Sequence, residues 1–145
     1  MKKPKLHKQE KSYSCTVACL RTVLEYYGII ANETTLRIKS KTKFYGTHPL
    51  HIVEYAKSYG LDAYANSLSL NKLKELIDRN IPVIANILTF NDDDFYVHSI
   101  VIYQMEKDTI YLLDLEDGEK HVDRDVFEIL WQKNDYFGII IKKAE

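Results

Sequence analysis

Residues 7–28, HKQEKSYSCTVACLRTVLEYYG, join a polar segment to an amphipathic helix. From Cys15 onward the apolar side chains recur near helical spacing, and Gly28 provides a C-terminal stop, so the pattern predicts a helix over residues 15–28. A free cysteine is usually buried as a small apolar side chain. Cys15 instead follows the polar residues 11–14. We therefore expect it at the edge of the core, on the first turn of this helix.

The composition of the 145-residue chain is that of a globular protein, with 46% hydrophobic and 28% charged residues. This length predicts a single domain, residues 1–145, that buries a sizeable core. No apolar run approaches the ~18 residues of a membrane helix. The basic start, MKKPKLHKQEKS, has no apolar segment behind it, so it is not a signal peptide. We expect a cytoplasmic protein without a membrane segment.

The net charge of -1 conceals an uneven distribution. Residues 1–11 carry five lysines and one glutamate, whereas residues 91–125 carry eleven acidic side chains. Such a chain lacks the general basic character of a nucleic-acid-binding protein, and no nucleic acid partner is expected. The acidic run 92–94 is interpreted as a solvated loop, and attraction of a cationic peptide is the alternative.

The rest of the chain is read as helices first and strands later. Three more helices are predicted over residues 32–39, 47–60 and 68–80, with Asn32 and Thr47 as caps of the first two.

The second half has strand patterns. Apolar, β-branched runs predict strands over residues 82–88, 96–104, 109–115 and 136–143, and the second and third form an antiparallel hairpin. A short helix over residues 123–132 has Asp123 as its cap. Helices followed by an antiparallel sheet define an α+β fold.

Cys15 has the setting of a nucleophile. Unpaired N–H groups at a helix start carry partial positive charge, which stabilises a thiolate and can also hold an oxyanion. Gln9 can fold back and offer its side-chain amide as a second oxyanion donor. The alternative is an inert thiol. Cys19, one turn later beside apolar residues, is predicted to be core, and two cysteines in this spacing indicate no disulfide framework.

His98 and Asp114 are the candidate base and its orienting acid. His98 lies within an apolar strand, and Asp114 ends the next strand. If the hairpin turn has an odd number of residues, the two side chains face each other directly or diagonally on one side of the sheet, whereas a two-residue turn places them on opposite sides. Glu116 shares the parity of Asp114 and is the alternative acid.

A metal site is the competing interpretation of the other histidines. His48 and His51 could meet on a helix face and, with Cys15 and Cys19, suggest zinc. The C-x₃-C spacing is not a usual pair of zinc ligands, so no metal is expected. The chain also lacks a phosphate-binding glycine loop, a dinucleotide fingerprint and a serine-nucleophile elbow, so no organic cofactor is expected.

The order of these residues resembles the papain-like cysteine peptidases that process double-glycine leader peptides of bacteriocins. Gln9, five residues, Cys15, a helix ending in YYG, then His98 and Asp114 sixteen residues apart carry the likeness, which covers roughly residues 6–142. It implies that Gln9 is the oxyanion-hole residue, Cys15 the nucleophile, His98 the general base and Asp114 its orienting residue. It also implies a peptide or protein substrate and an association with a transporter.

Three positions depart from the family pattern. Ser14 and Thr16 stand where many members have an acidic residue and a glycine, and Leu115 stands where many have proline. In transporters the domain is followed by membrane helices and an ATPase, so a free-standing domain is expected here. The predicted function is hydrolysis of a peptide bond. The alternatives are a non-catalytic peptide-binding module and another amide acyl transfer, such as isopeptide hydrolysis or transpeptidation.

Overall fold

Helices lie on both faces of an antiparallel sheet in the computed structural model, which describes residues 3–90 and 95–145. The helices of this part are α1 (Cys15–Tyr26), α2 (Glu33–Lys39), α3 (Pro49–Ser58), α4 (Leu70–Asp78) and α5 (Arg124–Gln132). The strands are β1 (Leu61–Ser67), β2 (Val83–Phe90), β3 (Phe95–Met105), β4 (Thr109–Asp114), β5 (Gly118–Asp123) and β6 (Phe137–Lys143). They pair in the order β1-β6-β2-β3-β4-β5, all antiparallel. The predicted α+β fold is confirmed.

The sheet separates two apolar cores because successive strand residues point to opposite faces. On one face, Val101 and Leu113 pack with side chains of α1, α2 and α3. On the other face, Ile100 and Ile102 pack with α4 and α5, including the fully buried Trp131. Strands β2 and β3, at the centre of the sheet, therefore contribute apolar side chains to both cores, which explains their long apolar runs.

The helix caps follow the sequence in two of three predicted places. Asn32 caps α2 and Asp123 caps α5, each accepting from backbone N–H groups of the first turn. The prediction for Thr47 is wrong, because its hydroxyl is hydrogen-bonded to that of Thr42 at 2.7 Å. The cap of α3 is His48, whose Nδ1 accepts a backbone N–H of the first turn.

The sequence patterns did not predict strands β1 and β5, and one physical reason explains both omissions. They are the two edge strands of the sheet, so each has a partner strand on one side only. In β1 only Ala63 is fully buried, and β5 alternates between exposed and half-buried residues. Edge strands of this kind lack the apolar run that marks a central strand.

The hairpin of β3 and β4 does not have the odd-numbered turn considered above, yet His98 and Asp114 still lie on the same side of the sheet. Met105 pairs with Ile110, and the Glu106 N–H donates to the Thr109 carbonyl at 2.8 Å, so the turn that these contacts close has two residues, Lys107 and Asp108. A turn of that length alone would place His98 and Asp114 on opposite faces. One extra residue in β3, at Tyr103, shifts the register, so that Val101 pairs with Leu113 beyond it.

Within residues 3–90 and 95–145, no helix is long and apolar enough to cross a membrane.

Candidate active site

Cys15 meets β3 where this strand extends past its neighbour β4. The described β3–β4 ladder runs from Met105 to Val101, and the preceding part of β3 continues alone on that side. The first residue of α1 lies there, with the Cys15 thiol half-buried. The backbone N–H of Ser99 donates to its sulfur, and the imidazole of His98 is hydrogen-bonded to the same atom. The start of α1 and the start of β3 are thus joined through one thiol.

His98 and Asp114 lie on the same side of the sheet, in the diagonal arrangement that the bulge at Tyr103 permits. Nε2 of His98 is 2.9 Å from Oδ1 of Asp114, and both side chains are buried. Since Nε2 faces the carboxylate, Nδ1 is the ring nitrogen left for the thiol of Cys15. The three side chains therefore form a line from sulfur to imidazole to carboxylate.

Four contacts fix the Asp114 carboxylate. Besides His98, its Oδ1 accepts the backbone N–H groups of Glu116 at 3.0 Å and Asp117 at 3.2 Å. Its Oδ2 accepts from Nζ of Lys120 at 3.2 Å. The acid in contact with the imidazole is Asp114, and Glu116 contributes its backbone. A carboxylate held by this many donors has little freedom to turn away from the ring.

The charges within this line support one another. Burial alone would raise the pKa of the Asp114 carboxyl, but the hydrogen bond and charge of His98 hold that pKa well below its ordinary value. Burial would lower the pKa of His98, yet the bonds to Asp114 and Cys15 raise it to about 10. Burial is the largest single influence on Cys15 and opposes its ionisation, but the hydrogen bonds from His98 and the Ser99 backbone, together with the charge of His98, outweigh it. The pKa of the thiol therefore lies below its ordinary value. The geometry favours a thiolate–imidazolium pair.

Cys19 has the opposite environment. It is fully buried within the core beneath α1, and burial raises the pKa of its thiol strongly. The predicted assignment of Cys19 to the core is confirmed.

Gln9 lies on the segment that leads into α1. Its backbone N–H donates to the carbonyl of Leu115 at 2.8 Å, which fixes this segment against the end of β4. The side-chain Nε2 donates to the carbonyls of Lys11 at 2.9 Å and Ser12 at 3.4 Å. Both amide hydrogens thus point toward the loop before Cys15, and the Ser12 contact is the weaker one.

The loop between Gln9 and Cys15 is held by a buried carboxylate that the sequence does not reveal. Glu33 is completely buried, and both of its oxygens accept the backbone N–H of Glu10, at 3.0 and 3.2 Å. The guanidinium of Arg37 lies 3.6 Å away. Burial raises the pKa of Glu33, and the bond from Glu10 works against that rise. In the sequence, Glu33 is an ordinary acid at a helix start.

The Ser14 hydroxyl takes part in the same loop. It donates to the carbonyl of Lys11 at 2.9 Å and accepts the Lys11 N–H at 3.0 Å. Within the described residues, the Ser14 side chain makes no capping hydrogen bond to α1. It therefore leaves the first N–H groups of that helix uncapped, as an anion-binding helix start requires.

A chain of three buried polar side chains runs behind the thiol. Thr16 follows Cys15, Ser99 follows His98, and their hydroxyl oxygens are 2.8 Å apart. The Ser99 hydroxyl donates to Oδ1 of Asn86, on β2, at 2.7 Å. Because Ser99 has one proton and gives it to Asn86, the Thr16 hydroxyl is the donor to Ser99. Sequence reasoning missed this chain, since its three members adjoin only after the strands pair.

Two cavities meet at His98. A cleft of about 460 Å³ contains Cys15, His98 and Ser99, with Phe44 and Tyr45 at its rim. A second cavity of about 340 Å³ lies between β3, β4 and α5, and its lining is mixed, with apolar side chains such as Leu112 and Phe127 beside the charged Asp114 and Lys120. The site is therefore reached from a groove and adjoins a second cavity of mixed polarity.

The remaining predicted candidates lie elsewhere or are not described. His48 caps α3 through its Nδ1, and its ring centroid is 5.8 Å from that of His51. The acidic run 92–94 lies outside the described residues.

Lys120 could have been inferred from the sequence if β5 had been recognised, because Lys120 pairs with Leu112 on the strand of Asp114.

The family model of the peptidase C39 family matches residues 3–143. The chain belongs to this family. A relative, the "Lactococcin-G-processing and transport ATP-binding protein LagD" of Lactococcus lactis subsp. lactis, is 31% identical over 111 residues. That match covers 77% of this chain and 15% of the relative, so the chain spans a small part of the length of this curated relative.

Two solved C39-type structures share the fold. The peptidase domain of Streptococcus ComA, a bifunctional ABC transporter of a quorum-sensing pathway, has a TM-score of 0.84 at 24% identity, covering 98% of this chain and 100% of that one. A double-glycine-motif protease from an AMS/PCAT transporter, solved with a leader peptide, has a TM-score of 0.79 at 21% identity, covering 98% and 93%. The predicted papain-like peptidase fold and the resemblance to leader-processing peptidases are confirmed.

Proposed function

We propose that the protein is a cysteine peptidase, with Cys15 as nucleophile, His98 as general acid and base, and Asp114 as the residue that orients His98. The observation that carries the proposal is the line of hydrogen bonds from the Cys15 sulfur through His98 to Asp114, in a chain of the peptidase C39 family. A nucleophile, its base and an orienting acid in hydrogen-bond reach are the arrangement that acyl transfer requires.

In the acylation step, the Cys15 thiolate attacks the carbonyl carbon of the scissile peptide bond. A C–S bond forms, and the π electrons of the carbonyl move to its oxygen. The resulting oxyanion accepts the N–H of Cys15 at the uncapped start of α1 and a side-chain N–H of Gln9. Each such donor is worth about 3–4 kcal/mol in the transition state. The oxyanion then collapses, the C–N bond breaks, and His98 gives its proton to the departing amine.

In the deacylation step, neutral His98 takes a proton from water, and the hydroxide oxygen attacks the thioester carbon. The C–S bond breaks, the carboxylic acid leaves, and the thiolate–imidazolium pair is restored. Gln9 performs its role if it releases one of its present contacts. The 3.4 Å contact to Ser12 is the weaker one, so we assign this hydrogen to the oxyanion.

The substrate that we propose is a peptide with a leader segment. The support comes from two relatives, a lactococcin-processing transporter and a protease solved in complex with a leader peptide. The cavity beside His98 and Asp114 combines apolar and charged walls, and its apolar walls suit apolar side chains of such a segment.

Partner and location form the rest of the proposal. The transporter-linked relatives support a peptide exporter as partner. Two free thiols, Cys15 and Cys19, fit the reducing cytoplasm expected from the sequence.

The test is cleavage of a proteome-derived peptide mixture, read by mass spectrometry. We expect the wild type to cleave peptides, Cys15→Ala to lose all cleavage, and Cys19→Ala to retain it. Addition of one water to each product pair identifies hydrolysis, and ligated masses identify transpeptidation. Cleavage by Cys15→Ala would overturn the assignment, and retention of peptides without cleavage by the wild type would indicate a peptide-binding module.

A further inference from the structure

The turn between α2 and α3 is built as a fixed support. Lys43 and Gly46 exchange two backbone hydrogen bonds, at 2.8 and 2.9 Å. The hydroxyl groups of Thr42 and Thr47 are 2.7 Å apart at its base. Gly46 has a φ of +120°, a conformation that side-chain-bearing residues rarely adopt. The two residues at the tip, Phe44 and Tyr45, are therefore presented in a defined direction.

Both tip residues are aromatic and exposed to solvent. Phe44 is 82% exposed and Tyr45 is 76% exposed. Their ring centroids are 5.1 Å apart and the ring planes make an angle of 83°, an edge-to-face pair. Scattered exposed apolar residues are common, but two adjacent aromatic rings fixed against each other form a prepared apolar surface. Because the two rings are already held in place, binding a partner on this surface costs the protein little conformational entropy.

The position of this surface connects it with the chemistry. Phe44 and Tyr45 line the same cleft of about 460 Å³ as Cys15 and His98. Tyr96 and Val97, on β3, also line this cleft and are 40% and 51% exposed. A peptide whose carbonyl reaches the Cys15 sulfur lies in this cleft, within reach of the aromatic tip.

We propose that Phe44 and Tyr45 determine specificity by binding an apolar side chain, of the size of leucine or phenylalanine, in the substrate peptide. This inference rests on the proposed peptidase function and names a feature of its substrate. The ligand is apolar because the tip offers ring faces and edges, and burial of apolar area between them is the favourable interaction that they can make.

The experiment compares substrate selection by the wild type and by variants of the tip. A proteome-derived peptide mixture reports residue preferences on both sides of the cleaved bond. Pairs of internally quenched peptides, with Ala or Phe at the preferred position, then give kcat/KM. We expect the wild type to prefer Phe or Leu over Ala by about tenfold at one position near the cleaved bond. The double variant Phe44→Ala/Tyr45→Ala should reduce this preference to about twofold or less, because kcat/KM falls more for the Phe peptide than for the Ala peptide.

Controls separate selection from folding and from chemistry. Because both side chains are exposed, their truncation has little effect on folding. Ile30→Ala, at an equally exposed apolar residue outside this cleft, should keep the wild-type preference. Phe44→Leu should retain most of it, since an apolar surface remains. Iodoacetamide labelling of Cys15 should be equal in all of these variants.

Two results would overturn the inference, and they are distinguishable. Cleavage without an apolar preference, or with a preference that the double variant retains, overturns the inference and leaves the peptidase function standing. A wild type that cleaves no peptide while iodoacetamide still labels Cys15 overturns the proposed function, and the inference with it.

Discussion

Cys15 and Cys19 are the same chemical group on the same helix, four residues apart, in opposite environments. Cys15 is half-buried at the first residue of α1, and hydrogen bonds from His98 and from the Ser99 backbone hold the pKa of its thiol below the ordinary value. Cys19 is fully buried among apolar side chains, where burial raises the pKa of its thiol strongly. The difference shows that one helical turn and the adjoining strand, and not the residue type, decide whether a thiol is reactive.

The largest expected effect is on the reactivity of these two thiols. Iodoacetamide at mildly acidic pH should alkylate Cys15 completely before any Cys19 reacts, because the thiolate is the attacking species. The rate of Cys15 alkylation should rise as the pH passes upward through the lowered thiol pKa.

Peptide turnover should fall near pH 10, where His98 loses its proton and has none for the leaving amine. Mass spectrometry of tryptic peptides measures the first effect, and initial rates across pH measure the second.

Equal alkylation of the two thiols in the folded protein would contradict the comparison. Urea-unfolded protein is the control, since there both thiols should react with similar rates at alkaline pH.

The next largest effect is expected from a change at Asp114, the last residue in the line from the Cys15 sulfur through His98. Asp114→Asn preserves the shape but can reverse the hydrogen bond to Nε2 of His98, so we expect turnover to fall by about 10³–10⁴. Glu116→Gln is the matched control, because Glu116 contacts Asp114 through its backbone N–H and the variant keeps that group. Steady-state kinetics on one cleaved peptide measures both. A larger loss in Glu116→Gln than in Asp114→Asn would reverse the assignment of the acid.

A smaller effect should separate turnover from thiol reactivity. Gln9→Ala removes an oxyanion donor, which acts on the transition state, so kcat should fall by about 10²–10³. Iodoacetamide labelling of Cys15 should stay near wild type, because Gln9 is not among the groups that lower the thiol pKa. Wild-type turnover would remove Gln9 from the site. A parallel loss of labelling would instead assign Gln9 to the structure of the loop.

The sequence predicts this site well where a residue acts through its position on one element. Cys15 at a helix start follows from the polar run before it and the apolar stripe after it. The contact of His98 with Asp114 was reached through a wrong turn length, and it holds because a bulge at Tyr103 restores the parity. Bulges leave no periodic signal, so only the pairing of the strands reveals them.

The sequence fails where a residue acts through a distant neighbour. Glu33 has the position of an ordinary helix-start acid, and its burial against the Glu10 backbone depends on how the N-terminal loop folds over α2. Lys120 contacts Asp114 from β5, an edge strand whose polar composition gives no recognisable strand pattern in the sequence. Apolar periodicity predicts cores and central strands, whereas contacts between polar loops and edges depend on tertiary packing.

The smallest expected effect concerns the hydroxyl chain behind Cys15. Thr16 donates to Ser99, which donates to Asn86, so the residues that follow Cys15 and His98 are tied to each other. Thr16→Val keeps the shape and leaves Ser99 without its donor. We expect a loss of about 1 kcal/mol in the free energy of unfolding and about a tenfold loss in kcat, with KM nearly unchanged, because the thiol and the imidazole lose their fixed separation. Thr16→Ser restores the hydroxyl and should restore kcat. Denaturant unfolding and steady-state kinetics measure these effects. If the valine variant loses stability while kcat stays at the wild-type value, the chain supports the fold alone and does not position Cys15 against His98.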